Sequence, residues 1–568
     1  MSVKKFWGIP VNLAYRYFGN LSEKLSQKLN LWGILQFANI QISPVGYCSV
    51  FFFYLLFFSI PISIGLFFFM VLMNFNLFFI PFSFSPIFFF IFLFFSYPRI
   101  KAHLRSVSLT AEFPFLATYL GMMGAVGISP YKAFERLSKQ NIFKASRREG
   151  EIIVREKVIF SKEPISALEN SVKYNPSREF RDYLSSYLRI IKTGGDAIGY
   201  LVDYSFKMIE WMRLLLKDYS ESVRLYGDLM IALFVFIPIG FFSIIFLMAI
   251  EQGIFFMKAY GFIIAPLCGF GLFAIIDSEQ FKFPQKYDRY IKLTAKIMLF
   301  TLVVDFLIFF FNLMPTVEWY LILSLSIIVS LLPSAILYEI DARKRYDIER
   351  SLPLFLRDIA EARRVGLSIE RALKEASTRS YGAILDKIVK RLNSMLSNSL
   401  TPIEKAVDLI INDIKSWYAK AIFWLFKEAI VTGGGSPETF SILAKFSEDY
   451  IEVKHRISKE LKIYYIIGYV ASIILLFVFT QLIRYSFIPS FYVSPNLPNS
   501  LNLPMQFISR SVLNELLSTS FMTIIIVSCL IGLIVGKIAT GSIVGGFKHS
   551  IICVIITVFG IKSMGWLW

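Results

Sequence analysis

Three histidines, four cysteines and a few glycine clusters are the residues of this chain whose types invite chemistry. His103, His455 and His549 stand far apart, with no His-x-x-x-His spacing to bring two imidazoles onto one helical face for a metal. Cys48, Cys268, Cys529 and Cys553 all lie in apolar runs and form no Cys-x-x-Cys pair. Neither a zinc site nor a disulfide framework is expected, and the thiols read as small buried hydrophobes. Gly532-x-x-x-Gly536-Lys537 is one residue short of a phosphate-binding loop, and Ile538 stands where Ser or Thr would meet magnesium. Any use of ATP must therefore come from a partner. Gly269-Phe270-Gly271 follows no strand and suits close helix packing, as does the Gly532/Gly536 spacing. Gly541 and Gly545 suit either a helix contact or a turn. No catalytic residue, cofactor or metal is expected from these patterns.

The elements that hold these residues are apolar. Of 568 residues 56% are hydrophobic and only 18% charged, with 59 Phe, against about 25% charged in an average soluble protein. The charge is gathered into blocks between long apolar runs. A spanning helix needs roughly 20 mostly apolar residues, and nine segments qualify: 47–73, 77–97, 229–250, 259–276, 297–314, 319–338, 463–484, 519–536 and 550–567. Two charged stretches, 99–228 and 339–462, are too polar to cross a bilayer and long enough to fold as domains. Four spans separate them, so both are expected on one side.

Charge selects the side. Of the 59 Lys and Arg, 53 fall in 1–46, 99–228, 277–296 and 339–462, whereas the segments assigned to the exterior (251–258, 315–318 and 485–518) carry only Lys258 and Arg510, with Arg484 at the membrane edge. The positive-inside bias puts the N-terminus and both domains in the cytoplasm and the C-terminus outside. The N-terminal segment 1–46 has an amphipathic stretch from Leu21 to Leu31, suited to the inner membrane surface or to a small packed helix. Asp305 is the one charge deep within a span, and at a cost of at least about 3 kcal/mol it must face protein or water. Three readings stay open: a basic partner on another subunit or a second copy, a buried structural hydrogen bond, or a span boundary that falls elsewhere.

The two charged stretches repeat one another. At an offset of 239 residues Pro114 meets Pro353, Val126 meets Val365, Gly127 meets Gly366, Ser129 meets Ser368 and Ala133 meets Ala372. Farther on, Thr193-Gly194-Gly195 meets Thr432-Gly433-Gly434, and between them Glu163-Pro164-Ile165 aligns one residue out of register with Thr401-Pro402-Ile403. Gly127 and Gly366 fall where a helix must stop in a left-handed residue. Ser129 and Ser368 are then placed to cap the next helix. Gly194-Gly195 ends another helix, with Asp196 as the following cap, and Gly433-Gly434-Gly435 is followed by Ser436 and Pro437 in the same role. Strand signals are absent from both stretches. Beyond Pro437 no Gly or Pro occurs until Gly468, so one helix of roughly 70 Å from about 438 to 484 joins the second domain to a span. In the first copy only Gly227 separates Tyr200–Tyr226 from the next span.

These duplicated turns, the Pro-Phe-Leu (114–116) and Pro-Leu-Phe (353–355) tripeptides, and the domain-to-span helices resemble the type II secretion system F domain family. The likeness covers about 112–228 and 351–484. The family holds the platform proteins of type IV pili, tight-adherence pili and the archaellum, and the extra terminal spans look like its archaeal branch. The resemblance implies an all-α polytopic protein with two homologous cytoplasmic bundles, a scaffold rather than an enzyme. Its implied partners are a hexameric secretion ATPase, pilin or archaellin subunits, membrane lipid and one or two further copies of itself. Arg147-Arg148, Arg363-Arg364 and the loop residues Lys282, Lys286, Arg289 and Lys292 are candidates to dock an acidic ATPase face, or else form a solvated surface beside anionic lipid. The second copy departs from the first in having no acid where the first has Asp196. A secondary transporter or permease is the competing class, but its repeats would lie in the membrane around polar mid-bilayer sites. Nucleic acid is disfavoured by domain net charges of only +6 and +4.

Overall fold

A computed structural model describes residues 5–6, 9–29, 31–72, 81, 83–160, 163–245, 250–280, 284–285, 287–311, 313, 317–397, 402–433, 435–482 and 510–565. Among these, the chain is almost wholly helical; the strands are Lys5–Phe6 and Ile9–Pro10, a two-residue antiparallel ladder. Nine described helices are long and apolar enough to cross a membrane: Pro44–Leu72, Ser85–Ala125, Ala197–Gly240, Ile254–Glu279, Asp288–Phe310, Trp319–Arg364, Pro437–Gln481, Asn514–Thr540 and Ile543–Ser563. The chain is a multi-pass membrane protein.

Several of these bounds correct the sequence reading. The fourth span starts at Ile254, inside the stretch 251–258 that hydropathy alone assigns to an exterior loop: helix Ile250–Ala259 runs through that stretch, and Lys258 pairs with Glu515 at 2.7 Å. The ninth begins at Ile543 because Gly541, at φ +78°, makes a tight turn directly after Thr540. Gly227 breaks nothing; it lies inside helix Ala197–Ile231. The seventh is two helices, Pro437–Leu461 and Ile463–Leu482, joined at Lys462, whose φ −64° and ψ −24° stay right-handed while one turn tightens.

Compact units divide at Phe206/Lys207. In the first, helix Val11–Lys28 packs on Pro44–Tyr54, with Ser49 Oγ donating to Ser22 Oγ at 3.0 Å. Helix Ser85–Ala125 runs unbroken from the second span into the charged stretch, through Pro98 and Pro114. A proline inside a helix leaves the carbonyl four residues earlier without its donor. For Pro98 that carbonyl belongs to Phe94, and the Tyr47 hydroxyl donates to it at 2.8 Å.

The second unit holds the remaining spans. Its helices Arg510–Thr540 and Ile543–Gly565 approach through glycine: a Cβ at Gly532 would stand 2.3 Å from Ser550 Cα, and one at Gly536 1.9 Å from Gly546 Cα. The Gly532/Gly536 spacing is thus a helix contact and Gly541 is a turn. Gly536→Leu must push two backbones apart, a strain beyond the roughly 1–3 kcal/mol of ordinary overpacking. Its monodisperse peak on size exclusion in detergent is expected to collapse, while Gly65→Leu, with open space around the added atom, keeps it. A wild-type profile for Gly536→Leu would refute the contact.

Candidate functional site

The residues expected to couple domain to span sit at helix ends, and their backbone geometry can be read directly. In the first unit, Gly127 has φ +79°, and Ile128 N donates to Met123 O while Gly127 N donates to Gly124 O. This is the left-handed stop that only glycine enters without steric cost. Ser129 takes the cap conformation but its side chain makes no capping bond; Pro130 at the first helical position already fixes the entry angle and removes one orphan donor. Gly194 is left-handed at φ +73°, Gly195 N bonds Ile190 O, and Asp196 Oδ1 accepts from Gly199 N at 2.8 Å, as a cap should.

In the second unit, Gly366 has φ +89°, Leu367 N donates to Ala362 O, and Ser368 Oγ accepts from Arg371 N at 3.4 Å. Gly433 is the last residue of helix Trp417–Gly433, Gly434 lies outside the described residues, and the left-handed residue is Gly435, at φ +71°. Ser436 Oγ then accepts from Thr439 N at 3.3 Å, and Pro437 opens the exit helix. Pro114 and Pro353 both lie within long helices, Ser85–Ala125 and Trp319–Arg364, where they break neither.

Of the basic residues assigned to docking, Arg363 faces inward. Its Nε donates to Gly435 O at 2.7 Å and its Nη1 to Leu367 O, tying the two glycine turns of the second domain together. Arg364 reaches Ser441 Oγ at 3.4 Å. Arg147 pairs with Glu151 at 2.7 Å, whereas Arg148, Arg289 and Lys292 are exposed; Lys282 and Lys286 lie outside the described residues. Asp305 accepts from Ser326 Oγ of the neighbouring helix at 2.8 Å. Cys48 and Cys553 are buried, but Cys268 and Cys529 only partly so. Among the described residues no cluster of three or more His, Cys, Asp or Glu could hold a metal.

Two polar hubs escape sequence reasoning because their partners are distant in the chain. In the first unit Arg105 forms a two-pronged pair with Glu149, both contacts 2.7 Å, and its Nη1 reaches the carbonyls of Gln36, Phe37 and Tyr174. Nearby, the buried Glu112 caps helix Lys144–Phe160 by accepting from Ala145 N and Ser146 N; burial raises its pKa, although these bonds pull the other way. In the second unit Glu349 takes Lys454 of the exit helix at 2.6 Å and Ser416 Oγ at 2.6 Å. Asp341 takes Lys415 at 2.8 Å and the Tyr290 hydroxyl at 2.7 Å. Burial would raise the Asp341 carboxyl, but the Lys415 and Tyr290 bonds hold it below its ordinary value.

The exit helix buries Phe440, Leu443, Phe446, Tyr450, Val453, Ile457 and Leu461, a stripe at three- and four-residue spacings, and packs along Trp319–Arg364. So the helix that enters the second domain and the helix that leaves it each contain a span and lie against one another. Residues 355–483, which begin on the first of these helices and include nearly all of the second, match the family model of the type II secretion system (T2SS), protein F. A type II secretion system F domain is present at 355–483. The F-domain match supports a secretion- or pilus-type assembly platform in general. The chain is also 24% identical over 499 residues, 81% of its own length and 80% of the relative's, to uncharacterized protein MJ1286 of Methanocaldococcus jannaschii. No solved structure matches it.

Proposed function

We propose that the chain is the membrane platform for a type IV pilus-like filament, of the archaeal pilus or archaellum kind. It receives the movements of a cytoplasmic hexameric secretion ATPase and passes them to helices that help lift pilin or archaellin subunits from the bilayer. The platform has no catalysis, cofactor or nucleic-acid partner of its own and acts as a dimer or trimer. Both charged stretches and the N-terminus face the cytoplasm, with the C-terminus outside, on the strength of the basic-residue asymmetry.

The observation that carries this reading is an F domain entered and left by membrane-length helices, Trp319–Arg364 and Pro437–Gln481. The relative in Methanocaldococcus jannaschii favours the archaeal branch. Residues 99–228 are a second copy of the same fold. Four successive helices begin at 130, 144, 164 and 178 in one stretch and at 369, 383, 403 and 417 in the other, every pair 239 residues apart. The offset seen in the glycines recurs in the helix starts.

The test is a pull-down of the full-length chain in detergent with a purified hexameric secretion ATPase. Retention is expected at low salt and is lost as salt rises. Reversing the exposed Arg148, Arg289 and Lys292 to Glu weakens it further, since charge contacts at an interface rim set encounter and salt dependence. No retention at low salt would overturn the reading.

A further inference from the structure

Within the second unit a cavity of about 290 Å³ lies where apolar runs give way to charged ones. Its wall takes Tyr338 from the residue before Glu339, Tyr465 from just after Lys462, and Ile538 to Gly541 from the end of helix Arg510–Thr540. Tyr287 and Tyr450 add further rings, and Leu216 and Leu461 add aliphatic surface. Tyrosine at the junction of apolar and polar segments is the composition of a membrane interface, where a ring sits in hydrocarbon and its hydroxyl meets headgroups.

The charges around this cavity do not cancel. Asp341 is taken by Lys415 and Glu349 by Lys454. Among the described residues that leaves Arg345 in the wall as a surplus cation. Its guanidinium lies over the rings of Tyr338 and Tyr287, at 5.3 and 5.9 Å from their centroids. A planar guanidinium held by aromatic faces, in a wall that also carries the Tyr287 and Tyr338 rings, is built to receive a tetrahedral oxyanion by two parallel bonds.

We propose that this cavity binds a phosphate group through Arg345 and the tyrosine hydroxyls, and that the ligand is an anionic phospholipid whose acyl chains follow the aliphatic wall. Such a lipid would fill the joint between the spans and the second domain and neutralise the surplus charge there.

The experiment uses the full-length protein. Native mass spectrometry from detergent is run with phosphatidylglycerol, with phosphatidylcholine, and with phosphatidylglycerol in excess inorganic phosphate. Phosphatidylglycerol is expected to be retained about tenfold more than phosphatidylcholine, the effect of one charge-assisted contact. Arg345→Gln removes that preference, Arg345→Lys restores part of it, and Lys405→Gln, an exposed change away from the cavity, leaves it intact. Displacement by inorganic phosphate assigns the phosphate chemistry to a soluble ion and overturns the lipid assignment. Because Arg345→Gln could unsettle the joint, Tyr287→Phe serves as a second variant that keeps the ring and deletes one donor; it lowers retention by several-fold. Equal retention of the two lipids, or an unchanged preference in Arg345→Gln, overturns the proposal. None of these readouts depends on filament assembly.

Discussion

Arg105→Ala is expected to destabilise the first unit by about 3–5 kcal/mol, the range for removing one partner of a buried ion pair. Glu149, 1% exposed at its side chain, would be left with only Asn175 Nδ2, at 2.8 Å, against its charge. Three carbonyls would lose a donor as well. Gln36 and Phe37 end helix Leu31–Phe37, and Tyr174 ends helix Pro164–Lys173, where the last carbonyls have no partner in their own helix and the dipole favours a cation. The measurement is the thermal midpoint of purified protein in detergent, joined to limited trypsin digestion. The variant is expected to unfold earlier and to release fragments cut in the first 206 residues. Arg105→Lys recovers only part of the loss, because a single ammonium cannot fork to both carboxylate oxygens. A wild-type midpoint for Arg105→Ala would show that the pair carries no weight.

The larger functional effect is expected from softening the exit helix. Inserting several glycines after Ile457 costs about 1 kcal/mol of helix propensity for each residue and rotates everything beyond by about 100° per residue. Leu461 would then leave the stripe that packs on Trp319–Arg364, and Lys454 with Glu349 would anchor a helix that no longer continues rigidly to Ile463. In a strain that makes filaments, filament number is expected to fall to background while the membrane content of the protein stays normal. Filaments at wild-type number would remove the idea that stiffness in this helix transmits the work.

The outcomes at individual residues show what a sequence can reveal. Gly127, Gly194 and Gly366 were legible because a positive φ is a one-residue steric requirement, satisfied locally whatever the rest of the fold does. The spans were legible because hydropathy sums over twenty residues and tolerates error at the ends. The late turn of the second domain was legible only as the run Gly433-Gly434-Gly435, because three consecutive glycines all permit the left-handed state. The choice of Gly435 follows from the Arg363 guanidinium reaching its carbonyl across 72 residues. Pro98 reads as a boundary until Tyr47, 51 residues earlier, supplies the missing donor. Arg105 is similarly hidden: its partners lie 44 to 69 positions away, beyond any periodicity.

Trp319–Arg364 and Pro437–Leu461 run side by side within the second domain, stitched by Glu349 and Lys454, whereas beyond Lys462 the helix Ile463–Leu482 packs on Arg510–Thr540 and Ile543–Gly565 instead. Two rods bound along their length can roll over one another or tip together, but neither slides lengthwise alone without shearing every interlocked side chain between them. A push on the charged end would therefore reach Lys462 as a shared swing of the pair, and not as the stroke of a piston.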